Sequence, residues 1–369
     1  MEWLIALLLF LAVMYKYRKQ AEVHFPLVMF RARKLVDAVW KIGRRHSRAF
    51  SIVSDLAVLL SLIAMPFVFY LIGKSAFDIM TIKELGSQIV PIVPGVKFPG
   101  SEIYIPLWSG IIAMAVLGSV HELAHGLVAS AQGTKPKSIV LIFLAFFTSF
   151  GVELDEREMQ AIDLRKKLRI FAAGSFANFL SAIAFALAMF AIAALVAPLV
   201  VPEGMRVITI EPGSPAEGLL SVGDMILEMN GTSTKDIVAF ANYTSSFAPN
   251  ETLTVVTDKG TFTLPANYET GNSTVGKIGV VSTPEFVLWK KLLLYPSFWL
   301  LQLLNLIVSF NVSVAFLNLM PLPPFDGGRI VMSISEKYLP KSKLPNFIYA
   351  VTFSLLMVNM FGGLVKGLF

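Results

Sequence analysis

Long apolar segments constrain this chain more than any other feature of its sequence. Only 15% of the residues are charged and the mean hydropathy is +0.69, whereas soluble domains carry about 25% charge. A helix that crosses a bilayer needs about 20 mostly apolar residues. We therefore expect a polytopic α-helical membrane protein with about six transmembrane helices, at 3–15, 52–72, 107–131, 170–201, 298–319 and 347–364.

The first of these segments is short for a transmembrane helix. It lacks the basic start and the small-residue cleavage site of a signal peptide, so we expect an uncleaved anchor. Residues 16–48, which follow it, contain ten Lys and Arg against only Glu22 and Asp37. Such an excess is typical of cytoplasmic loops, and alternation of the spans then places the segment between the fourth and fifth spans outside.

Most of the formal net charge of +6 lies in this one basic segment. That distribution argues against nucleic acid as a partner and favours a membrane surface. Within the segment, residues 28–42 are compatible with a basic amphipathic helix lying on anionic lipid and equally with an ordinary solvated loop.

Residues 202–285 are polar and rich in Gly, Thr and Asn, with short β-like runs. They predict a small soluble domain inserted between two membrane helices. The expected division is then an anchor helix with a basic cytoplasmic segment at 1–51, two membrane parts at 52–201 and 286–369, and the inserted domain. Four Asn-X-Thr sequences in that domain match N-glycosylation sites or chance occurrences, at Asn230, Asn242, Asn250 and Asn272.

The third apolar segment contains the run His121-Glu122-Leu-Ala-His125. Two histidines at i and i+4 of a helix share one face and can bind one metal ion, and a glutamate beside the first can take a proton from water. Ionisable side chains at mid-membrane cost roughly 2.5–3.5 kcal/mol each on insertion scales, and a bound cation offsets that cost. The pattern predicts a zinc site, and the alternative is a hydrogen-bonded polar cluster between helices.

A third metal ligand must be Asp, Glu or His, because the chain has no cysteine and catalytic zinc has three protein ligands. The best candidate is Asp326, in the segment 318–328 that closes the fifth span, although a simple Pro-rich turn is the alternative. His121 lies about 14 residues, roughly 21 Å, below the outer end of its helix. Asp326 follows a helix that runs in the same direction, so both are expected toward the cytoplasmic face.

Two further features accompany this candidate site. Asn178 is expected to face the bundle interior, where it either stabilises the oxyanion of the tetrahedral intermediate or makes an interhelical hydrogen bond. Gly174, one turn earlier, permits close approach of helices. The stretch 138–153 is apolar but too short to span comfortably, and we expect a re-entrant hairpin there.

These motifs together resemble the site-2 protease family of intramembrane zinc metalloproteases, peptidase family M50. The similarity lies in HELAHG at 121–126, AAGSFANF at 172–179 and NLMPLPPFDGG at 318–328, which occur in the family's order on separate helices. Ser175 stands where members usually carry proline. The resemblance implies a Zn²⁺ site, a catalytic base and a residue that binds unwound substrate, with His121, His125 and Asp326 as ligands, Glu122 as the base and Asn318 at the substrate.

The inserted domain resembles a PDZ module on the residues at 207–210, 213–216, 218–219, 223–226 and 230–231. Such modules capture a peptide by adding it as a strand to a sheet edge. The resemblance implies that function here, with 204–207 as the candidate groove.

The expected function is therefore hydrolysis of peptide bonds within or near the transmembrane segments of single-pass membrane proteins. We expect a multi-pass protein of the cell membrane, with the PDZ-like domain extracytoplasmic and the active site near the cytoplasmic side. The main alternative is a catalytically inactive scaffold that binds peptides through the PDZ-like domain, and the intact Glu122 argues against it. A transporter would show internal repeats, and the sequence shows none.

Overall fold

The computed structural model describes residues 2–17, 21–24, 27–82, 86–89, 92–97, 104–144, 147–246, 248, 251–267 and 278–366. Within these ranges the chain is mostly helical. The helices are α1 Glu2–Tyr17, α2 Arg33–Arg45, α3 Ser47–Thr81, α4 Leu107–Ala131, α5 Glu156–Ala161, α6 Leu164–Val196, α7 Ile237–Thr244, α8 Leu288–Asn318, α9 Asp326–Tyr338 and α10 Leu344–Lys366.

In the described part of the chain, five helices are long and apolar enough to cross a membrane. They are α3, α4, α6, α8 and α10, and they confirm the predicted polytopic helical fold. The first predicted span corresponds to α1, which has 16 residues and is shorter than the about 20 that a bilayer requires. Its role as a membrane anchor stays a prediction.

The basic segment forms two short strands and a helix, so the helical interpretation of 28–42 is confirmed for its second part. Two short strands, β1 Ala21–His24 and β2 Leu27–Arg31, precede α2. Two apolar residues of α2, Val36 and Val39, are buried against Ile139 of the stretch 138–144. The segment 28–42 is therefore not a solvated loop but a strand followed by a helix that packs on that stretch. Contact of this helix with lipid stays a prediction.

The predicted hairpin at 138–153 is present as β3 Ser138–Leu144 and β4 Phe147–Glu153. It joins the two N-terminal strands in an antiparallel sheet of order β1-β2-β3-β4, so β4 is at the sheet's edge. A hairpin in this stretch is thus confirmed, while its entry into the bilayer stays a prediction.

The helices around the predicted metal site pack against one another through buried apolar side chains. Ile170 and Ala173 of α6 pack against Val128 and Ala129 of α4. On another face of α6, Ala172 packs with residues of α3 and α9. The N-terminal third of α6 is therefore packed against α3, α4 and α9, and α4 and α9 carry the candidate ligands.

Residues Met189–Gln302 form a second compact unit. Its sheet contains β5 Gly204–Ile210, β6 Met225–Met229, β7 Thr232–Ser233, β8 Thr252–Thr257, β9 Thr261–Pro265 and β10 Val280–Glu285, in the order β10-β5-β6-β8-β9 with β7 on β6. Val207, Ile226, Leu253, Val255 and Leu264 build its core with Phe240 of α7. This is the predicted small PDZ-like domain.

The predicted peptide groove at 204–207 is wrong. That stretch pairs with β10 on one side and with β6 on the other, and Val207 exchanges further backbone hydrogen bonds with residues 223 and 224. Its backbone therefore has no free edge to receive a peptide strand. The strands at the ends of the sheet order are β10 and β9.

Candidate metal centre

His121, His125 and Asp326 meet at one point although 201 positions separate the last two in sequence. Their candidate ligand atoms lie within 4.8 Å of one another. Asp326 Oδ2 is 3.4 Å from His121 Nε2 and 3.3 Å from His125 Nε2. All three side chains are buried, so two imidazole nitrogens and one carboxylate oxygen converge at a point below the protein surface.

Local sequence explains how each ligand reaches this point. The i, i+4 spacing places both histidines on one face of α4. Asp326 begins α9 directly after the Pro-rich turn, and the turn folds back closely on the glycines that follow. A Cβ at Gly327 would overlap the Leu319 carbonyl, and one at Gly328 would overlap Leu322, so only glycine permits this close approach.

The donor set fits a zinc ion. Asp326 Oδ2 is buried and accepts no hydrogen bond, which is costly for a carboxylate unless a cation faces it. Nitrogen and carboxylate ligands in a set of three are typical of catalytic zinc, which keeps a fourth position open. Gly174 supplies the space: a Cβ there would lie 2.7 Å from His121 Nε2 and still closer to His125 Nε2.

Each imidazole is held by a group on α6. His125 Nδ1 lies 2.7 Å from the carbonyl oxygen of Ile170. Because a carbonyl only accepts, Nδ1 carries the proton and Nε2 keeps its lone pair for a metal. This backbone partner has no signature in the amino-acid sequence.

Asn178 holds the ring of His121 from the side away from Asp326. Its Nδ2 lies 3.2 Å from Nδ1 of His121, and its buried Oδ1 has no partner. If Nε2 of His121 binds a metal, Nδ1 must carry the proton and needs an acceptor. A half-turn of the amide presents Oδ1 for that bond. The observed contact is the interhelical one, and a role of Asn178 toward substrate stays a prediction.

The expected base lies beside the ligands. The Glu122 Oε2 accepts a hydrogen bond of 3.0 Å from the backbone N–H of Val152 in β4. Asn318 Nδ2 lies 3.5 Å from Nε2 of His121. The structure therefore brings all six predicted site residues together. It also shows a hydrogen bond from the edge strand β4 to Glu122, which sequence reasoning did not find.

A cavity of about 760 Å³ opens at this centre. The three candidate ligands line it together with Glu122 and Asn318. Its lining also includes the charged residues Glu156, Lys167, Arg329 and Glu336, so water has a polar route to the ligands.

Most of this chain is similar in sequence to known proteins. The family model for peptidase family M50 matches residues 109–359. An uncharacterized protein of Methanocaldococcus jannaschii is 29% identical over 252 residues, covering 67% of this chain and 62% of that protein. A membrane-bound transcription factor site-2 protease homolog of Arabidopsis thaliana is 27% identical over 199 residues, covering 53% of this chain and 38% of that protein.

Part of this chain is similar to two solved structures. The PDZ domain of an SdrC-like protein from Listeria innocua is 25% identical, and the similarity covers 21% of this chain and 92% of that domain with a TM-score of 0.20. The corresponding domain from Listeria monocytogenes is 24% identical, with the same TM-score and coverage of 22% and 88%.

The M50 match spans more than half of the chain and includes all three candidate ligands, which lie on α4 and α9. The long apolar helices are those of a multi-pass membrane protein. On this evidence the chain belongs to peptidase family M50, the membrane-embedded metalloproteases of the site-2 type.

Proposed function

We propose that this protein is an intramembrane zinc endopeptidase that hydrolyses peptide bonds within or near the transmembrane segments of single-pass membrane proteins. The observation that carries the proposal is the convergence of the buried His121, His125 and Asp326 next to Glu122 at one cavity. A zinc ion held by these ligands would supply Lewis acidity, lowering the pKa of water to about 7 and polarising the scissile carbonyl.

Glu122 acts as the proton carrier in this proposal. Its carboxylate accepts a proton from the attacking water and gives it to the leaving amine. The bond from the Val152 N–H limits the positions that the carboxylate can adopt. Such positioning matters because a displacement of about 1 Å in a reacting group can cost on the order of 10²-fold in rate.

The substrate must be locally extended to be cut. Helical peptide bonds are shielded by their own hydrogen bonds and by the turns of the helix. Asn318, 3.5 Å from His121 Nε2, has an amide that can pair with the backbone of an unwound segment, and we assign it that role. Substrates with helix-breaking residues near the scissile bond are expected to be cut faster.

We place the active site toward the cytoplasm and the PDZ-like domain outside, in the cell membrane. The basic clusters at 16–48 and 165–169 support this orientation by the positive-inside rule. Substrates then release a cytoplasmic fragment. The PDZ-like domain would bind an outer segment of the substrate by strand addition.

The test uses the full-length protein in lipid nanodiscs with a purified single-pass substrate. We expect wild-type protein to bind one zinc ion, measured by elemental analysis, and to cut the substrate. Glu122→Gln should retain the zinc and lose on the order of 10²–10⁴-fold in turnover. Asp326→Ala should lose both.

Equal cleavage by wild type and Glu122→Gln would refute the enzyme proposal. Zinc binding without cleavage of any single-pass substrate would instead favour a scaffold. Glu156→Gln, which removes a carboxylate from the same cavity but not from the ligand set, is the matched control and should leave zinc content unchanged.

A further inference from the structure

A cluster of charged and polar side chains joins three helices close to the metal centre. Asp55 of α3 accepts two hydrogen bonds from Arg169 of α6, both 2.7 Å, and two from Arg165, of 3.2 and 2.7 Å. Arg169 also donates to Oε1 of Gln132 at 2.9 Å. The amide of Gln132 in turn donates to Ser51 Oγ at 3.1 Å.

Gln132 connects this cluster to the helix that carries the histidines. It follows Ala131, the last residue of α4, and it lies about two turns beyond His125. Arg169 therefore binds α3 through Asp55 and α4 through Gln132 at the same time. Its side chain is only 14% exposed, and a planar guanidinium that makes paired bonds to a carboxylate fixes direction as well as distance.

The next residue of α6 holds a metal ligand. The Ile170 carbonyl accepts from Nδ1 of His125 at 2.7 Å, and this bond sets the tautomer and the direction of the ring. Arg169 and Ile170 belong to the second turn of α6, which begins at Leu164. A small rotation or slide of that turn changes the distance between the Ile170 oxygen and the imidazole.

We propose that Arg169 is a positioning residue for the metal centre: its bonds to Asp55 and Gln132 hold the start of α6 in the register at which the Ile170 carbonyl meets Nδ1 of His125. This inference rests on the proposed zinc-dependent function. Arg169 touches neither substrate nor metal, and it acts through the backbone of its neighbour. Asp55 and Gln132 share that role as its two anchors.

A purely structural role makes a different prediction. We call the bonds of Arg169 to Asp55 and Gln132 the Arg169 clamp. If this clamp only stabilised the helix bundle, breaking it would lower the unfolding temperature and leave the ligand geometry of the folded molecules unchanged. If it positions the ligands, breaking it changes the metal affinity and the ligand field. Partners that orient a metal-binding histidine typically contribute 10–100-fold in metal affinity.

The experiment compares Arg169→Gln, Asp55→Asn and Arg169→Lys with wild type in full-length protein. Zinc affinity is measured by competition with a chelator, and the visible absorption of the Co²⁺-loaded protein reports the ligand field. We expect Arg169→Gln and Asp55→Asn to bind zinc about 10–100-fold more weakly and to shift the Co²⁺ bands. Arg169→Lys keeps the charge but loses the paired bonds, so it should recover only part of the affinity.

The matched control is Asp78→Asn, which breaks the exposed pair of Lys74 and Asp78 on the same helix α3. It should leave both readouts unchanged. If Arg169→Gln does not fold, Gln132→Ala, which removes only one anchor, takes its place and should weaken zinc binding. Wild-type affinity and an unshifted Co²⁺ spectrum in the folded variants would overturn the inference, while wild-type protein that binds no zinc would refute the proposed function as well.

Discussion

Gly174 packs directly against the imidazole of His125, so closely that a Cβ at this position would overlap its Nε2 atom. The same Cβ would lie 2.7 Å from Nε2 of His121. Both atoms are candidate metal ligands. Position 174 therefore has room for a hydrogen but not for a side chain. The close spacing of α4 and α6 at the metal centre depends on this glycine.

Gly174→Ala should weaken zinc binding strongly while the protein stays folded. The added methyl group must displace one of the two imidazoles from the ligand position. We expect zinc affinity to fall by at least the 10–100-fold that is typical of altered ligand surroundings, measured by chelator competition. Gly73→Ala in α3, where the nearest atom would be 3.8 Å away, is the control, and equal zinc content in the two variants would contradict the prediction.

Val152→Pro should slow catalysis without removing zinc. Proline has no N–H, so the bond to Glu122 is lost. The amide of Val152 points to Glu122 and β4 is an edge strand, where proline is tolerated. We expect turnover to fall on the order of 10²-fold at unchanged zinc content. Val152→Ala keeps the N–H and should retain most activity. A proline variant as fast as the alanine variant would show that this contact is dispensable.

Asp224 should make the stability of the PDZ-like domain depend on pH. The hydrogen bond from Lys259 lowers the pKa of this buried carboxyl below its ordinary value, and the Ser221 N–H acts in the same direction. A lowered folded-state pKa stabilises the domain above the unfolded pKa of about 3.9, and that stabilisation disappears as the pH falls further.

We therefore expect Asp224→Asn to reduce amide protection of β6 and β8 at neutral pH, measured by hydrogen exchange in the full-length protein. The difference in amide protection between this variant and the wild type should become smaller below about pH 4. Glu228→Gln on the same strand β6 is the control, because in the described structure its side chain makes no ion pair. A difference that is constant from pH 7 to pH 3 would contradict the proposed linkage.

Gly43→Ala should loosen α2 from the helix that carries the histidines. A Cβ at Gly43 would lie 2.5 Å from the Ser130 Cβ and 2.6 Å from the Leu127 carbonyl oxygen. Overpacking of this kind costs about 1–3 kcal/mol, which outweighs the helix propensity of alanine over glycine, about 1 kcal/mol. We expect trypsin to cut within α2 faster in this variant than in the wild type. The control is Ala38→Ser on the exposed face of α2, which should be cut at the wild-type rate.

The metal ligands were predictable because their chemistry is carried by residue type and spacing. His121 and His125 share a helix face by their separation alone. Asp326 required a second argument, from the direction of two apolar helices. The hairpin at 138–153 was also predictable, because its length excludes a span. Each of these inferences needs only local pattern and bilayer dimensions.

The groups that orient the ligands could not be predicted in the same way. The Ile170 carbonyl and the Val152 N–H belong to the backbone, so their residue types say nothing about them. The Arg169 clamp joins helices that are more than 100 positions apart in sequence. The peptide groove was misplaced because a strand looks the same in sequence whether its edges are free or paired.

The pairing of β2 with β3 also imposes an order on biosynthesis. Arg31 and Ser138, in neighbouring strands of one sheet, are 107 positions apart. At roughly 5–20 residues per second a ribosome needs on the order of 5–20 s to synthesise that interval. An isolated two-stranded hairpin is only marginally stable in water. The β1–β2 hairpin is therefore not stabilised by β3 until α4 has been synthesised. The strand that contacts Glu122, β4, is then the last strand of this sheet to form.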